Sequence, residues 1–587
     1  MRLINTKTRE FEEFIGDDVP GYAILSHTWG KDEVTYQHYV SGNCQSMKGY
    51  AKIDMTCRIA ARSQIGYAWV DTCCIDKSSS AELSEAINSM FRWYQHAVVC
   101  YVYFSDLPPD AQWDRSTLAN CRWFTRGWTL QELIAPKEII FFDCMWSGGI
   151  KSSDGIRKVR WLIRRISSIT KVDEKLLLGN QSLDLYCVAQ KLSWASKRET
   201  TRVEDMTYCL IGLFGVNIPL LYGEREKAFR RLQEEILRSS ADLSIFAWKL
   251  PPQNPTHQGL HDYGEQTDDQ ETLLDLDNST SSTVSGVFAR SPAEFFDSGQ
   301  YTRVANGLRE ISMTNIGIKI RSKLLLVESP RSKTDTRVYF LPLAVHPCDG
   351  PALGIWLRHI GNQHFLRKNA FELGSWNPLS DRPLPLQDSF LRPDLPSEYC
   401  QSSDRYVSAR GILKFIRQNT LRMAIQPHMR ILDAWPPEYF DMEDLCFFIS
   451  AREAPSLCIV RVECSGKDSD CTIIVCDWPF MPKFTVLEDP MPEEALQTIR
   501  SIQSETREYG GIRGRVKSLL QDAGIPHSHL WVERKSNFLG KSVHRILPDD
   551  KPGNRHRILS IQSSILRAHG APRQKRSDWS TCLPGEE

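Results

Sequence analysis

A chain of 587 residues is too long for one ordinary hydrophobic core, and 72 Lys+Arg against 72 Asp+Glu give a formal net charge of +0. That balance argues against a non-specific nucleic-acid binder, which would need a basic surface to neutralise phosphates. The 17 cysteines are odd in number and scattered, and the adjacent Cys73 and Cys74 do not suit a disulfide framework, so a reduced, cytoplasmic chain is expected.

From the amino terminus, MRLINTKTREFEEFIGDD carries charges where a signal peptide would be apolar. Tyr22 to Leu25 is a short apolar run leading into Ser26-His27-Thr28-Trp29-Gly30, the pattern of a buried strand ending in a loop. A helix is expected over about Tyr50 to Ser63, then a strand over Tyr67 to Val70. Ser79, three residues before Glu82, has the spacing of a helix cap, and Leu83, Ile87, Met90, Tyr94 and Ala97 follow at helical intervals. Val98 to Phe104 reads as a third strand, Trp128 to Leu133 as a helix ended by Pro136, and Glu138 to Phe142 as a further strand. This alternation predicts a parallel sheet with ligands bound at the carboxyl ends of its strands.

After about Ser147 the pattern becomes helical, including Glu224 to Arg238 with Phe229, Leu232 and Ile236 on one face. Met206 to Tyr222 lacks charges but is shorter than the roughly 20 residues a bilayer needs, and it contains Pro219, so a buried helix and a tight loop are expected instead of a membrane span. The predicted organisation is 1–150 as an α/β domain, 151–250 as its helical extension, 251–285 as a polar linker, 286–547 as a mainly β region and 548–587 as a polar tail. Gly540-Lys541-Ser542 lacks the first glycine of a phosphate loop, Lys535 standing in its place, so no ATP site is expected. His527 and His529 have no ligand set around them, and no metal is expected.

The ordered motifs YAILSHTWG (22–30), AWVDTCCIDKSSSAELSEAINSMFRWYQHA (68–97), CYVYFSDLP (100–108) and RWFTRGWTLQELIAP (122–136) resemble the heterokaryon-incompatibility (HET) domain of fungal proteins. Residues 192–236 and 243–248 resemble the stretch that follows it. HET domains are in turn similar to TIR domains, which implies a TIR/flavodoxin-like parallel sheet. The resemblance also implies a role in programmed cell death during non-self recognition, a form of fungal innate immunity. In the TIR comparison the glutamate of the enzymatic members, which cleave NAD at the nicotinamide–ribose bond, falls on Glu132. Arg126 stands where those members usually carry a small residue.

A fixed carboxylate beside the ribose would stabilise oxocarbenium character as the N-glycosidic bond breaks, and cationic nicotinamide is already a good leaving group. With Glu132 as the catalytic residue, Ser26 and His27 are candidates to hydrogen-bond ribose or phosphate, and Trp29, Trp123 and Trp128 to stack on the bases. Trp128, four residues before Glu132, equally suits core packing. Asp71, with Asp76, suits either ligand contact or capping of a turn. The rival reading is a non-enzymatic module that signals by self-association or by binding other incompatibility proteins. A third is a β-rich receptor with an inert amino-terminal domain.

Overall fold

The computed structural model describes residues 1–251 apart from 17, 110, 149 and 152–155, then 283–395 with short stretches omitted, and beyond 406 separate segments ending at 565. Most of the predicted linker (252–282), His527, His529 and residues 566–587 lie outside the described residues. The chain forms two compact units. One comprises 1–328, 338–358 and 364–406, and the other 329–337, 359–363 and 407–587.

The amino-terminal sheet has seven strands: β1 (Arg2–Asn5), β2 (Phe11–Glu13), β3 (Tyr22–His27), β4 (Tyr67–Trp69), β5 (Val99–Tyr103), β6 (Ile139–Phe142) and β7 (Ile150–Lys151). Their order is β2-β1-β4-β3-β5-β6-β7. β4, β3, β5 and β6 run parallel, with Ile24 opposite Trp69 on one side and Cys100 on the other, while β1 pairs antiparallel with both β4 and β2, and β7 antiparallel with β6. Every residue of β3 and β6 is buried, as a parallel strand covered on both faces requires. β1 and β2 were not expected from sequence. At four and three residues they are too short for periodicity to register, yet Leu3 and Ile4 are wholly buried.

The helices in this layer are α1 (Tyr36–Val40), α2 (Tyr50–Arg62), α3 (Ser80–His96), α4 (Arg115–Ala119), α5 (Thr129–Ile134) and α6 (Ile156–Thr170). α2 buries Ile53, Thr56, Cys57 and Ala60, one stripe at helical spacing. The Ser79 hydroxyl caps α3 by accepting from the Glu82 amide, as the spacing predicts. In the extension, the run 206–222 is broken into α9 (Asp205–Tyr208) and α10 (Ile211–Phe214), after α7 (Glu174–Leu177) and α8 (Val188–Ser193). Gly215, at φ +65°, ends α10 in the left-handed conformation that glycine takes at least cost. Among the described residues no helix is long and apolar enough to cross a membrane.

α11 (Lys227–Ser239) belongs with the β region as much as with the helices. The side-chain amide of Gln233, fully buried, donates to the Ala289 carbonyl at 2.8 Å and accepts from its amide at 3.0 Å. The Trp248 indole donates to the Val287 carbonyl at 2.7 Å, and Arg367 donates to the carbonyls of Phe246 and Trp248 at 3.0 and 2.6 Å. The predicted linker therefore ends early, because Thr283–Ser285 is already a strand, antiparallel to His364–Lys368. That sheet continues through Gln387–Leu391, Gly317–Ser322 and Ile311–Thr314 on one side and Leu353–His359, Arg337–Pro347 and Leu325–Glu328 on the other.

In the second unit, Met429–Trp435, Leu457–Cys464, Cys471–Cys476 and Lys483–Leu487 form an antiparallel sheet. Leu559–Ile565 corrects the expectation of a polar tail, since it is a strand between Asn419–Ala424 and Lys541–Leu547. The alternation in its sequence LSIQSSI is masked by the polar composition around it. Lys541 and Ser542 begin a hairpin strand, whereas a phosphate loop would lead into a helix.

Candidate functional site

The chain leaves β3 for β4 on one side of the sheet and returns to β5 on the other, so the carboxyl ends of β3 and β5 form a topological switch point, where open α/β sheets bind their ligands. Its two loops are tied together. The hydroxyls of Thr28 and Ser105 lie 3.2 Å apart, the Arg122 amide donates to Asp106 at 2.8 Å, and the Arg122 guanidinium reaches the Trp29 carbonyl at 3.5 Å.

Successive residues of a strand point to opposite faces, and Ser26 and His27 accordingly enter different environments. The Ser26 hydroxyl donates to the Glu132 carboxyl at 2.5 Å and accepts from the Trp123 indole at 2.8 Å. Ser26 and Trp123 are wholly buried, and Glu132 is 7% exposed. Burial pushes the Glu132 carboxyl up to about 8, reinforced by nearby Asp71 and opposed by the Ser26 hydrogen bond and the charges of Arg126 and Arg198. The Tyr94 hydroxyl, donating to the Leu25 carbonyl at 3.0 Å, is also raised, first by burial and then by Glu132.

On the other face, His27 is 5% exposed and neither ring nitrogen has a hydrogen-bond partner. The nearest carboxylates, of Glu33 and Asp71, are 3.8 and 3.9 Å away, beyond hydrogen-bond range. Burial alone would raise Glu33. His27, the Gly30 amide at 2.6 Å and Lys52 outweigh it and hold the carboxyl down at about 2. Trp29, 38% exposed, donates from its indole to Asp71 at 2.9 Å, and the Lys77 ammonium lies 3.5 Å from the centre of its ring.

Sequence motifs thus converge here, though not all in the expected manner. Ser26, Trp123 and Glu132 form one hydrogen-bonded group, and His27, Trp29 and Asp71 gather beside it. Trp123 presents no free face, because it is wholly buried, in T-shaped contact with Phe104 and Phe124 at 5.6 and 5.1 Å. Trp128 is half-buried at the start of α5 and packs on the amino-terminal core.

Sequence reasoning passed over Arg198. This buried guanidinium donates to the Arg126 carbonyl at 2.7 Å and the Thr129 hydroxyl at 2.8 Å, and Thr129 donates in turn to the Trp123 carbonyl at 2.5 Å. Glu199 and Thr125 pair through their backbones at 2.6 Å, and Gly127 donates to the Glu199 carbonyl at 2.9 Å. The turn carrying Glu132 is therefore braced by the helical extension. Glu33 and Lys52 were missed too, and only the acidic position three residues after Gly30 hinted at them.

Among the described residues no group of three His, Cys, Asp or Glu is arranged to hold a metal, and the described cysteines are free thiols. Residues 22–115 match the family model described as heterokaryon incompatibility protein (HET). That match takes in Ser26, His27, Trp29 and Asp71 and ends before Trp123, Trp128 and Glu132. Residues 227–319 match a domain of unknown function, DUF8212. A curated relative, vegetative incompatibility protein HET-E-1 of Podospora anserina, is 47% identical over 261 residues, which cover 42% of this chain and 19% of that protein. The chain thus spans about a fifth of the length of the relative it matches. No solved structure matches.

Proposed function

We propose, from the match of residues 22–115 to the heterokaryon-incompatibility family, that the protein is a cell-death effector of fungal non-self recognition that acts by hydrolysing NAD at its nicotinamide–ribose bond. The observation that carries this reading is the 2.5 Å contact between Glu132 and Ser26 at the carboxyl end of β3. It brings an acid from α5 to the switch point of a sheet whose parallel strands follow the order 2-1-3-4, the start of the flavodoxin-like order. The likeness to TIR domains rests on that order together with the motifs.

In the reaction the C1′–N bond breaks, its electron pair neutralises the pyridinium ring, and nicotinamide leaves without needing a proton. Water attacks C1′ and gives up a proton. The Glu132 carboxylate stabilises the developing positive charge on the ribose and takes that proton. His27 is buried with both ring nitrogens unused and would meet the ribose hydroxyls only on opening, and Trp29 would present to a base the ring surface that Lys77 leaves free.

With its carboxyl raised to about 8, Glu132 is mostly protonated at neutral pH in the closed arrangement. The base form is reached by raising pH or by an opening that wets the carboxyl. This suits an effector held silent until self-association or another incompatibility protein opens it.

The test is NAD consumption by the full chain, with viability after expression, for wild type and Glu132→Gln. The expected result is loss of both hydrolysis and killing in a folded variant, with wild-type activity rising as pH approaches 8. Killing by Glu132→Gln with NAD untouched would instead establish a binding module that signals by association alone.

A further inference from the structure

A cleft of about 720 Å³ opens between α4, the turn Arg122–Phe124 and α6, with Lys197 of the helical extension on its rim. Its size is that of a small-molecule site. Arg115, Arg165 and Lys197 arrive from three separate stretches of chain, and none makes an ion pair among the described residues. The Arg165 guanidinium is preset, lying 3.7 Å from the centre of the Trp161 ring and donating to the Trp161 carbonyl at 3.5 Å. The single carboxylate in the lining, Asp114, is already engaged, accepting from the Thr117 amide at 2.9 Å and the Ser116 hydroxyl at 2.7 Å. Three cations against one internally bonded anion leave the lining at a net charge of +2. Buried Phe124 and half-buried Ile169 supply apolar surface beside it.

We infer that this cleft is a second ligand site, separate from the Glu132 site, that takes a small diphosphate or triphosphate such as a nucleotide. Guanidinium groups match phosphate oxygens through paired hydrogen bonds, and unpaired like charges converging on one cavity are relieved by a polyanion. The apolar wall would take an attached ring. The site has none of the glycine-rich backbone of a phosphate loop and relies on side chains alone.

It also touches the brace behind Glu132. Thr125 lines the cleft and pairs with Glu199, and Lys197 precedes Arg198. A bound phosphate clamped between Arg115, Arg165 and Lys197 would tie these segments together and stiffen the turn that carries the acid.

The experiment is titration of the full chain with inorganic pyrophosphate and with ATP, followed by calorimetry and by the shift in Tm. Wild type is expected to bind one equivalent saturably, more weakly at high salt. Arg165→Gln combined with Lys197→Gln is expected to weaken binding roughly tenfold or more. Arg115→Gln, a change at an exposed position, provides a second measure should the double variant fold poorly. Glu132→Gln is expected to bind like wild type, so the result stands apart from the fate of the NAD reading. No saturable binding of either probe below about 1 mM, or binding indifferent to Arg115→Gln and the double variant, would overturn the assignment.

Discussion

Ser26 stands between two buried polar groups and satisfies both, accepting from Trp123 and donating to Glu132. Ser26→Ala leaves an indole N–H and a carboxyl unpaired in the core, and a loss of about 1–3 kcal/mol is expected in a urea unfolding midpoint. Glu132 gives a second prediction with a defined sign. Its folded value of about 8 lies above the ordinary 4.5, so folded chains keep a proton that unfolded chains release. The stability from this group is complete below pH 4.5 and is lost as pH rises toward 8, at no more than about 1.4 kcal/mol per pH unit. Glu132→Gln keeps the shape without the titration, so its Tm is expected to change less between pH 5 and 8 and to exceed that of wild type at pH 8. An unchanged pH profile would mean that the carboxyl is not held protonated. The sequence directed Ser26, His27 and Glu132 to one end of a sheet through motif order and strand pattern. It could not reveal that the carboxyl is buried, because Glu132 and Ser26 are 106 positions apart and an amphipathic turn looks the same whether its acid faces water or a serine.

Among the elements, the close approach of α5 to the extension depends on Gly127. A β-carbon there would lie 2.5 Å from the Thr200 methyl and 3.2 Å from the Cys209 sulfur. Gly127→Ala is therefore expected to push the two segments apart at a cost of about 1–3 kcal/mol, read as a drop in Tm, and to expose Arg198 to hydrogen–deuterium exchange at neighbouring amides. The central strands and the long helices were legible because their apolar residues recur over several turns or fill a whole strand. β1 and β2 were not, and in the run 206–222, expected as a buried helix and a tight loop, the helical part is two short pieces separated at Cys209-Leu210, where the apolar sequence carries no signal of a break.

For the molecule as a whole, the boundary near residue 250 that composition suggests is not a structural boundary. Gln233, Phe246 and Trp248 find their hydrogen-bond partners in residues 287–367, and the DUF8212 match at 227–319 runs across the same junction. A fragment of residues 1–250 strands the buried Gln233 amide and the Trp248 ring. It is expected to aggregate or unfold without cooperativity in a thermal melt, whereas residues 1–406 should melt as one transition. A sharp, cooperative melt for 1–250 would show that the β layer adds nothing to the fold before it. The guanidinium of Arg198 carries a further consequence. A polypeptide severed after β7 would retain each side chain proposed to meet NAD, yet it would lack the Arg198 cation that fastens the acid's own turn. Any minimal piece meant to retain this chemistry must extend beyond position 200, so fragments trimmed to the boundaries of the α/β layer would be silent for a mechanical reason.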